Sequence, residues 1–121
     1  MAKRSQVLVV EDDAAVSESL RELFAREGYD VALASNGAEA IEMMEEGAAP
    51  CCVLVDLLMP GIVGHEFLDY MSREDRVCET PVAIITGSPY LAPDGYRMFP
   101  KPLDMRALLD FVGSHCPIGR P

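Results

Sequence analysis

The sequence lacks the features that mark membrane proteins and secreted proteins. No apolar stretch is long enough to cross a bilayer. The basic start over residues 1–6 is followed by only a short apolar run, residues 7–10, before acidic residues appear. That run is too short for the apolar core of a signal peptide. We therefore expect no membrane attachment and a cytoplasmic location.

Basic residues are scarce relative to acidic ones. The chain has 10 Lys and Arg against 20 Asp and Glu, which gives a formal net charge of −10. A surface of this sign repels the phosphates of nucleic acids and of anionic lipids, so neither is expected as a direct partner. A basic protein or a cation suits such a surface better.

The spacing of the cysteines also lacks a metal-binding or disulfide pattern. The chain contains no C-x-x-C pair. Adjacent residues of a strand point to opposite faces of a sheet, and we expect this of Cys51 and Cys52. We interpret the cysteines as buried or incidental thiols and expect neither zinc binding nor a disulfide. The residues concerned are Cys51, Cys52, Cys78 and Cys116.

The most informative feature of the sequence is an apolar run over residues 51–61. It carries a single acidic residue, Asp56, and stops at Pro60-Gly61. Such a run predicts a strand buried on both faces, as in parallel sheets that helices cover. A buried carboxylate costs several kcal/mol when it is ionised and unpaired, so neighbouring groups must compensate Asp56. Ligands of open α/β sheets bind at the carboxyl ends of the strands, which makes Asp56 a candidate site residue.

The rest of the chain alternates between strand and helix patterns. Residues 87–95 contain two prolines and two glycines, so a full fourth helix is not expected there. The alternation predicts an α/β fold, a doubly wound five-stranded parallel sheet with a shortened or missing fourth helix. Strands are predicted at 6–10, 29–34, in the run ending at Asp56, at 81–87 and at 97–99; helices are predicted after Asp13, after Asn36, over 64 to about 72, and after Asp104.

The chain of 121 residues suits one domain. The predicted core spans about residues 6–113. The Gly- and Pro-rich segment from Gly113 onward is predicted to fray, with a C-terminal tail over residues 114–121.

Polar residues meet at one edge of this predicted sheet. Three carboxylates brought together repel one another unless a cation is present. Oxygen ligands without His or Cys favour Mg²⁺. Asp56 would then be ionised and able to act as a nucleophile, while a lysine and a hydroxyl contact the oxygens of a phosphoryl group. The pattern predicts phosphoryl transfer onto Asp56. The residues at this edge are Glu11, Asp12, Asp56, Thr86 and Lys101.

Four segments occur in an order that makes the chain resemble a response-regulator receiver domain of two-component signalling. They are residues 7–12, 53–61, 84–87 and 101–102. The resemblance implies a flavodoxin-like receiver fold and transfer of phosphate from a histidine kinase or a phosphotransfer protein in a phosphorelay. It also implies output through a downstream protein target. The domain would catalyse only its own phosphorylation and dephosphorylation, and homodimerisation stays open.

The resemblance assigns a role to each residue of the predicted site. Asp56 would be the phosphoacceptor, Thr86 the switch hydroxyl, and Lys101 the active-site lysine before a cis bond to Pro102. Mg²⁺ would be held by Glu11, Asp12, Asp56 and the backbone carbonyl of Leu58.

Two features depart from the family pattern. Met98 stands at the switch position three residues before Lys101, where the family usually has an aromatic residue. The segment between Thr86 and Lys101 is also short for a full helical crossover. These departures keep open a pseudo-receiver that binds partners without phosphorylation.

Two other functions are disfavoured by the sequence. A phosphatase is disfavoured because Leu58 stands where a second acid is typical. An FMN carrier is disfavoured because no phosphate loop follows the first strand.

Overall fold

A computed structural model describes residues 6–56, 64–75, 77–88 and 92–116. Five strands and four helices lie in these residues. No described helix has both the length and the apolar character needed to cross a membrane. The strands are β1 (Gln6–Val10), β2 (Asp30–Ala34), β3 (Cys52–Asp56), β4 (Val82–Thr86) and β5 (Arg97–Pro100); the helices are α1 (Ala14–Arg26), α2 (Gly37–Glu45), α3 (Gly64–Arg73) and α4 (Met105–His115).

The strands form one parallel sheet in the order β2-β1-β3-β4-β5. Strand β3 lies in the middle, and all five of its residues are buried. This burial follows from the helices that cover both faces, since a strand covered on both sides needs apolar residues at every position. The prediction of a doubly wound five-stranded sheet is confirmed.

Two apolar clusters, one on each face of the sheet, form the core. One face of the sheet contributes Leu8 and Val53, which pack with apolar residues of α2 and α3. The other face contributes Val9 and Leu54, which pack with residues of α1 and α4. The alternation of side chains along each strand therefore determines which pair of helices a strand residue contacts.

Short polar side chains fix the starts of the helices. The Asp13 carboxylate accepts from the backbone N–H of Ala15 at 2.9 Å and begins α1. Asn36 caps α2 by accepting from the N–H of Glu39 at 2.8 Å. The Glu39 carboxylate accepts from the N–H of Ser35, the residue before Asn36, at 2.9 Å.

The connection from β4 to β5 contains no helix in its described residues, 87–88 and 92–96. Pro93 cannot donate a helical hydrogen bond, and Gly95 has a φ of 92°, which lies in the left-handed region. The predicted loss of the fourth helix is confirmed for this part of the chain.

Helix α4 continues beyond the point at which the sequence predicts fraying. It passes through Gly113 and ends at His115. Leu108, Val112 and Cys116 follow one another at the spacing of one helix face, and all three are buried. Packing of this apolar stripe on the sheet offsets the helix-weakening effect of Gly113.

The expectation of unpaired cysteines is wrong for two of them. Cys51 and Cys116 form a disulfide with their Cα atoms 5.4 Å apart. The Sγ atoms of Cys51, Cys52 and Cys116 all lie within 4.8 Å of one another, so Cys51 and Cys52 do not point to opposite faces. The reason is that β3 begins at Cys52, and the alternation of a strand does not apply to Cys51 before it.

Replacing Asp104 by Ala is expected to lower the free energy of unfolding by about 1 kcal/mol. The Asp104 carboxylate accepts from the N–H groups of Arg106 and Ala107, each at 3.1 Å, and these donors lose their partner in the variant. Urea denaturation measures the change. Asp110→Ala on the exposed side of the same helix is the control and should leave the midpoint nearly unchanged; equal losses would show that charge, not capping, is responsible.

Candidate functional site

The strand register brings the predicted site residues to one edge of the sheet. Val10 pairs with Val55, so Glu11 and Asp56 follow at the same level on adjacent strands. Asp56 itself pairs with Ile85, which places Thr86 one residue further along β4. The edge is the carboxyl end of the sheet, as predicted from the sequence.

Lys101 joins the two buried carboxylates of this edge. Its Nζ atom donates to Glu11 Oε1 at 2.6 Å and to Asp56 Oδ2 at 2.9 Å. Glu11 and Asp56 are only 2 % and 4 % exposed, whereas the Lys101 side chain is 26 % exposed. The lysine therefore supplies much of the compensation that a carboxylate at the end of a buried strand requires.

Burial and the hydrogen bond from Lys101 have opposite effects on the pKa of Glu11. Burial raises the pKa of Glu11 to about 7, and the nearby Asp56 carboxylate adds to the rise, while the hydrogen bond from Lys101 opposes it. Burial alone would lower the pKa of Lys101, but its bonds to Glu11 and Asp56 outweigh this effect and raise it. Lys101 is therefore a cation at neutral pH.

Three carboxylates at this edge have the composition of a site for a hard cation. One oxygen each from Glu11, Asp12 and Asp56 lies within 4.8 Å of the others. Asp12 is exposed, so the cluster opens to solvent on one side. Ligands that are all oxygen fit Mg²⁺, which keeps several waters and needs few protein carboxylates. The predicted fourth ligand, the carbonyl of Leu58, lies outside the described residues.

Thr86 is buried at the end of β4 and is tied to Lys101 through the backbone. The N–H of Lys101 donates to the carbonyl of Thr86 at 2.8 Å. The Thr86 hydroxyl accepts from the N–H of Ser88 at 2.9 Å. A hydroxyl oxygen that accepts one bond still has a proton to donate, so Thr86 can serve as a donor to a phosphoryl oxygen. Its role as the switch hydroxyl stays a prediction.

The atypical switch position, Met98, lies on β5 opposite Ile84. Met98 is half-buried and packs against the cluster on the α2 and α3 face, as does Tyr96. Phe99 points to the other face and packs with the opposite cluster. Tyr96 therefore shares the face of the sheet with Met98, whereas Phe99 lies on the opposite face.

Sequence reasoning missed one polar residue that supports the site. Ser17 on α1 is 7 % exposed, and its hydroxyl donates to the backbone carbonyl of Glu11 at 3.3 Å. The bond links the start of α1 to the acidic loop. A serine between apolar positions Val16 and Leu20 was the available signal, because a hydroxyl on a buried helix face needs a partner.

Comparison with known proteins identifies the family. The family model described as the response regulator receiver domain matches residues 7–112. The chain belongs to this family.

This receiver domain is similar over most of its length to several curated proteins. It is 30 % identical over 111 residues to Protein Rrf1 of Nitratidesulfovibrio vulgaris, covering 89 % of this chain and 80 % of that one. It is 27 % identical over 118 residues to sporulation initiation phosphotransferase F of Bacillus subtilis, covering 93 % and 94 %. It is 32 % identical over 116 residues to the response regulator MprA of Mycobacterium ulcerans, covering 86 % of this chain but only 50 % of the relative.

Solved structures agree with the fold of the receiver domain. The receiver domain from the hybrid histidine kinase CckA is 32 % identical, with a TM-score of 0.78 and coverage of 92 % of this chain and 98 % of that one. The response regulator protein TrrA of Thermotoga maritima, solved in complex with Mg²⁺-BeF, is 25 % identical, with a TM-score of 0.80 and coverage of 91 % and 97 %.

Proposed function

We propose that this receiver domain takes a phosphoryl group from a histidine kinase or a phosphotransfer protein onto Asp56 in a reaction that depends on Mg²⁺. The observation that supports this most directly is the position of Asp56. It ends the central strand, accepts a hydrogen bond from Lys101 and lies within 4.8 Å of the carboxylates of Glu11 and Asp12. A purely structural aspartate would not need two further acids beside it.

The residues of the site divide the work of the transfer. An Asp56 carboxylate oxygen forms a bond to phosphorus, while the bond from phosphorus to the donor atom breaks and the donor leaves with the electron pair. Lys101 and the Thr86 hydroxyl would donate hydrogen bonds to the phosphoryl oxygens, where negative charge is spread in the transition state. The Lys101 ammonium has three N–H donors and uses two of them on Glu11 and Asp56, so it can also donate to a phosphoryl oxygen.

Glu11, Asp12 and Asp56 would hold the metal ion. Bound Mg²⁺ would reduce the repulsion between the acceptor carboxylate and the incoming phosphoryl oxygens. Because burial raises the pKa of Glu11, a cation beside it would also favour its ionised form.

We propose that the phosphorylated domain acts in the cytoplasm by binding a downstream protein target. No substrate other than its own Asp56 is needed, so the domain would catalyse only its own phosphorylation and dephosphorylation. The net charge of −10 disfavours direct contact with nucleic acid or an anionic membrane and is compatible with a basic face on a partner.

A pseudo-receiver, which binds partners without phosphorylation, is the second candidate. Met98 at the switch position favours it, because a flexible thioether cannot report phosphorylation through an aromatic ring rotation. The described residues between β4 and β5 also lack the usual helix. The difference between the two candidates lies in the chemistry of Asp56, which can be measured.

Incubating the protein with acetyl phosphate and Mg²⁺ is expected to add the mass of one phosphoryl group. The reason is that a small phosphodonor needs only the acceptor, the metal site and the donors described above. Intact-mass spectrometry detects the product, and a metal-free sample with a chelator is the control and should stay unlabelled. No gain in mass, under conditions that label a known receiver domain, would support the pseudo-receiver instead.

A further inference from the structure

A cysteine cluster at the end of the sheet opposite Asp56 plays no part in the proposed phosphoryl transfer. Cys51 precedes β3, whereas Asp56 ends it, so the length of the strand separates the cluster from the phosphoacceptor. The disulfide joins Cys51 to Cys116, which directly follows α4. It thus connects the amino end of the central strand to the carboxyl end of the last helix.

We infer that Cys51 and Cys116 are a site of reversible oxidation that ties α4 to the central strand in the oxidised protein and releases it in the reduced protein. The two residues are 65 positions apart in the chain, yet their Cα atoms are 5.4 Å apart, a distance that suits a disulfide without movement of the backbone.

The fold does not depend on this bond for its core. The two apolar clusters include residues of all five strands and all four helices, and a domain of 121 residues can bury enough surface to fold without a covalent staple. The domain can therefore stay folded when the disulfide is reduced. At the proposed cytoplasmic location, disulfides are rare, and those that form are usually transient and serve catalysis or redox sensing.

The four cysteines differ in burial, and this difference indicates which of them form the disulfide. Cys51 is half-buried, whereas Cys116 is fully buried, so Cys51 is the more exposed residue of the pair. Cys52 lies beside the pair, but burial raises the pKa of its thiol to about 12, so it is a poor thiolate for exchange. Cys78 is exposed and lines a cavity with Met71 and Tyr96, which belong to the other face of the sheet. We therefore expect the reversible disulfide to form between Cys51 and Cys116 and not with Cys52 or Cys78.

The oxidation balances with a low-molecular-weight disulfide, such as glutathione disulfide, as the oxidant. The S–H bonds of Cys51 and Cys116 break, and one S–S bond forms between the two sulfurs. The S–S bond of the oxidant breaks, and its two sulfurs take up the two electrons and the two protons to leave as thiols. Reduction by glutathione follows the same steps in reverse through a mixed disulfide, which we expect to form on Cys51, the less buried residue of the pair.

Release of the bond should act on the last turn of α4. The N–H of Cys116 donates to the carbonyl of Val112 at 2.7 Å. The disulfide holds the Cys116 backbone in the position from which this bond forms. Without the disulfide, this turn is retained by its backbone hydrogen bond and by the packing of its apolar stripe, and no covalent bond restrains it. The surface of α4 near His115 would therefore differ between the two redox states, while the residues around Asp56 would not.

Thiol counting in glutathione buffers of stepwise ratio tests the inference on the full chain. Samples are quenched in acid, denatured, alkylated and weighed intact. The chain has four cysteines. We expect two alkylated cysteines, Cys52 and Cys78, in oxidising buffer and four in reducing buffer, with one cooperative step between them. Four at every ratio would overturn the inference because no bond forms, and two at every ratio would overturn it because the bond is permanent.

Variants connect the step to the proposed pair. Cys51→Ser should lose the step and show three alkylated cysteines at every ratio, whereas Cys78→Ser should keep it. A step that survives Cys51→Ser, or is lost with Cys78→Ser, would assign the bond to other sulfurs and contradict the inference. None of these readouts involves Asp56, so their failure is distinguishable from failure of the proposed phosphoryl transfer.

Hydrogen exchange of the wild-type protein gives a readout that needs no variant. After reduction, the Cys116 amide is expected to exchange faster by about tenfold or more, whereas amides of β3 keep their protection. The oxidised protein should also unfold less readily, with an equilibrium constant for unfolding lower by about a hundredfold, because the bond closes a long loop in the unfolded chain. Equal exchange of Cys116 in both states would overturn the claim that the bond restrains α4.

Discussion

Asp56→Asn is expected to abolish labelling by acetyl phosphate and Mg²⁺ completely. The amide has nearly the shape of the carboxylate but lacks the anionic oxygen that forms the bond to phosphorus. The substitution also removes one of the three clustered carboxylates that we propose hold Mg²⁺. Intact-mass spectrometry over a time course measures the result, and circular dichroism verifies that the variant is folded.

Asp13→Asn is the matched control for this experiment. Asp13 belongs to the same acidic loop, but its side chain caps α1 by accepting from the N–H of Ala15 at 2.9 Å. Asparagine caps helices about as well as aspartate, so the fold and the labelling should both be retained. Equal loss of labelling in the two variants would mean that the acceptor pocket is assigned to the wrong acids.

Lys101→Met should reduce the initial rate of labelling by about 10²- to 10³-fold, the usual cost of removing one charged donor that faces developing negative charge. Methionine retains much of the aliphatic length but cannot donate to Glu11, Asp56 or a phosphoryl oxygen. Asp56 stays in place as the acceptor, so labelling slows and does not vanish. Rates from a quenched-flow time course at saturating Mg²⁺ give the comparison.

Two controls separate lost chemistry from lost folding in this variant. Arg106→Met removes a positive charge from the exposed surface of α4 and should leave the rate unchanged. Mg²⁺ should still raise the melting temperature of Lys101→Met, because Glu11, Asp12 and Asp56 remain to bind it. An unaltered labelling rate would show that Lys101 only neutralises buried carboxylates and does not serve the transfer.

The site could be located from the sequence because its residues follow strand ends. A run such as residues 53–55 predicts a buried strand, and parallel strands bring their carboxyl ends to one edge, so Asp56 and Lys101 were expected at the same edge of the sheet. The sequence could not determine that one lysine would contact both Glu11 and Asp56. That arrangement depends on side-chain distances of 2.6 Å and 2.9 Å, which strand patterns do not encode.

The cysteine pair was not predictable for a different reason. Its two members are brought together by the packing of α4 on the sheet, a contact between residues 65 positions apart. The Gly- and Pro-rich composition after Gly113 indicated fraying, although the apolar stripe ending at Cys116 extends the helix to His115. Local composition gave the wrong end of the helix because tertiary packing outweighed it.

The two outer strands of the sheet affect how the protein behaves at high concentration. Strand β2 has five residues and begins at the exposed Asp30, and β5 has only four, with the exposed Arg97 and Pro100 at its ends. Unpaired strand edges can recruit strands of other molecules, but short edges with charged residues and a proline oppose this addition. The sheet is therefore poorly suited to extend into a second copy, and aggregation through strand pairing is disfavoured even though its interior strands are almost wholly apolar.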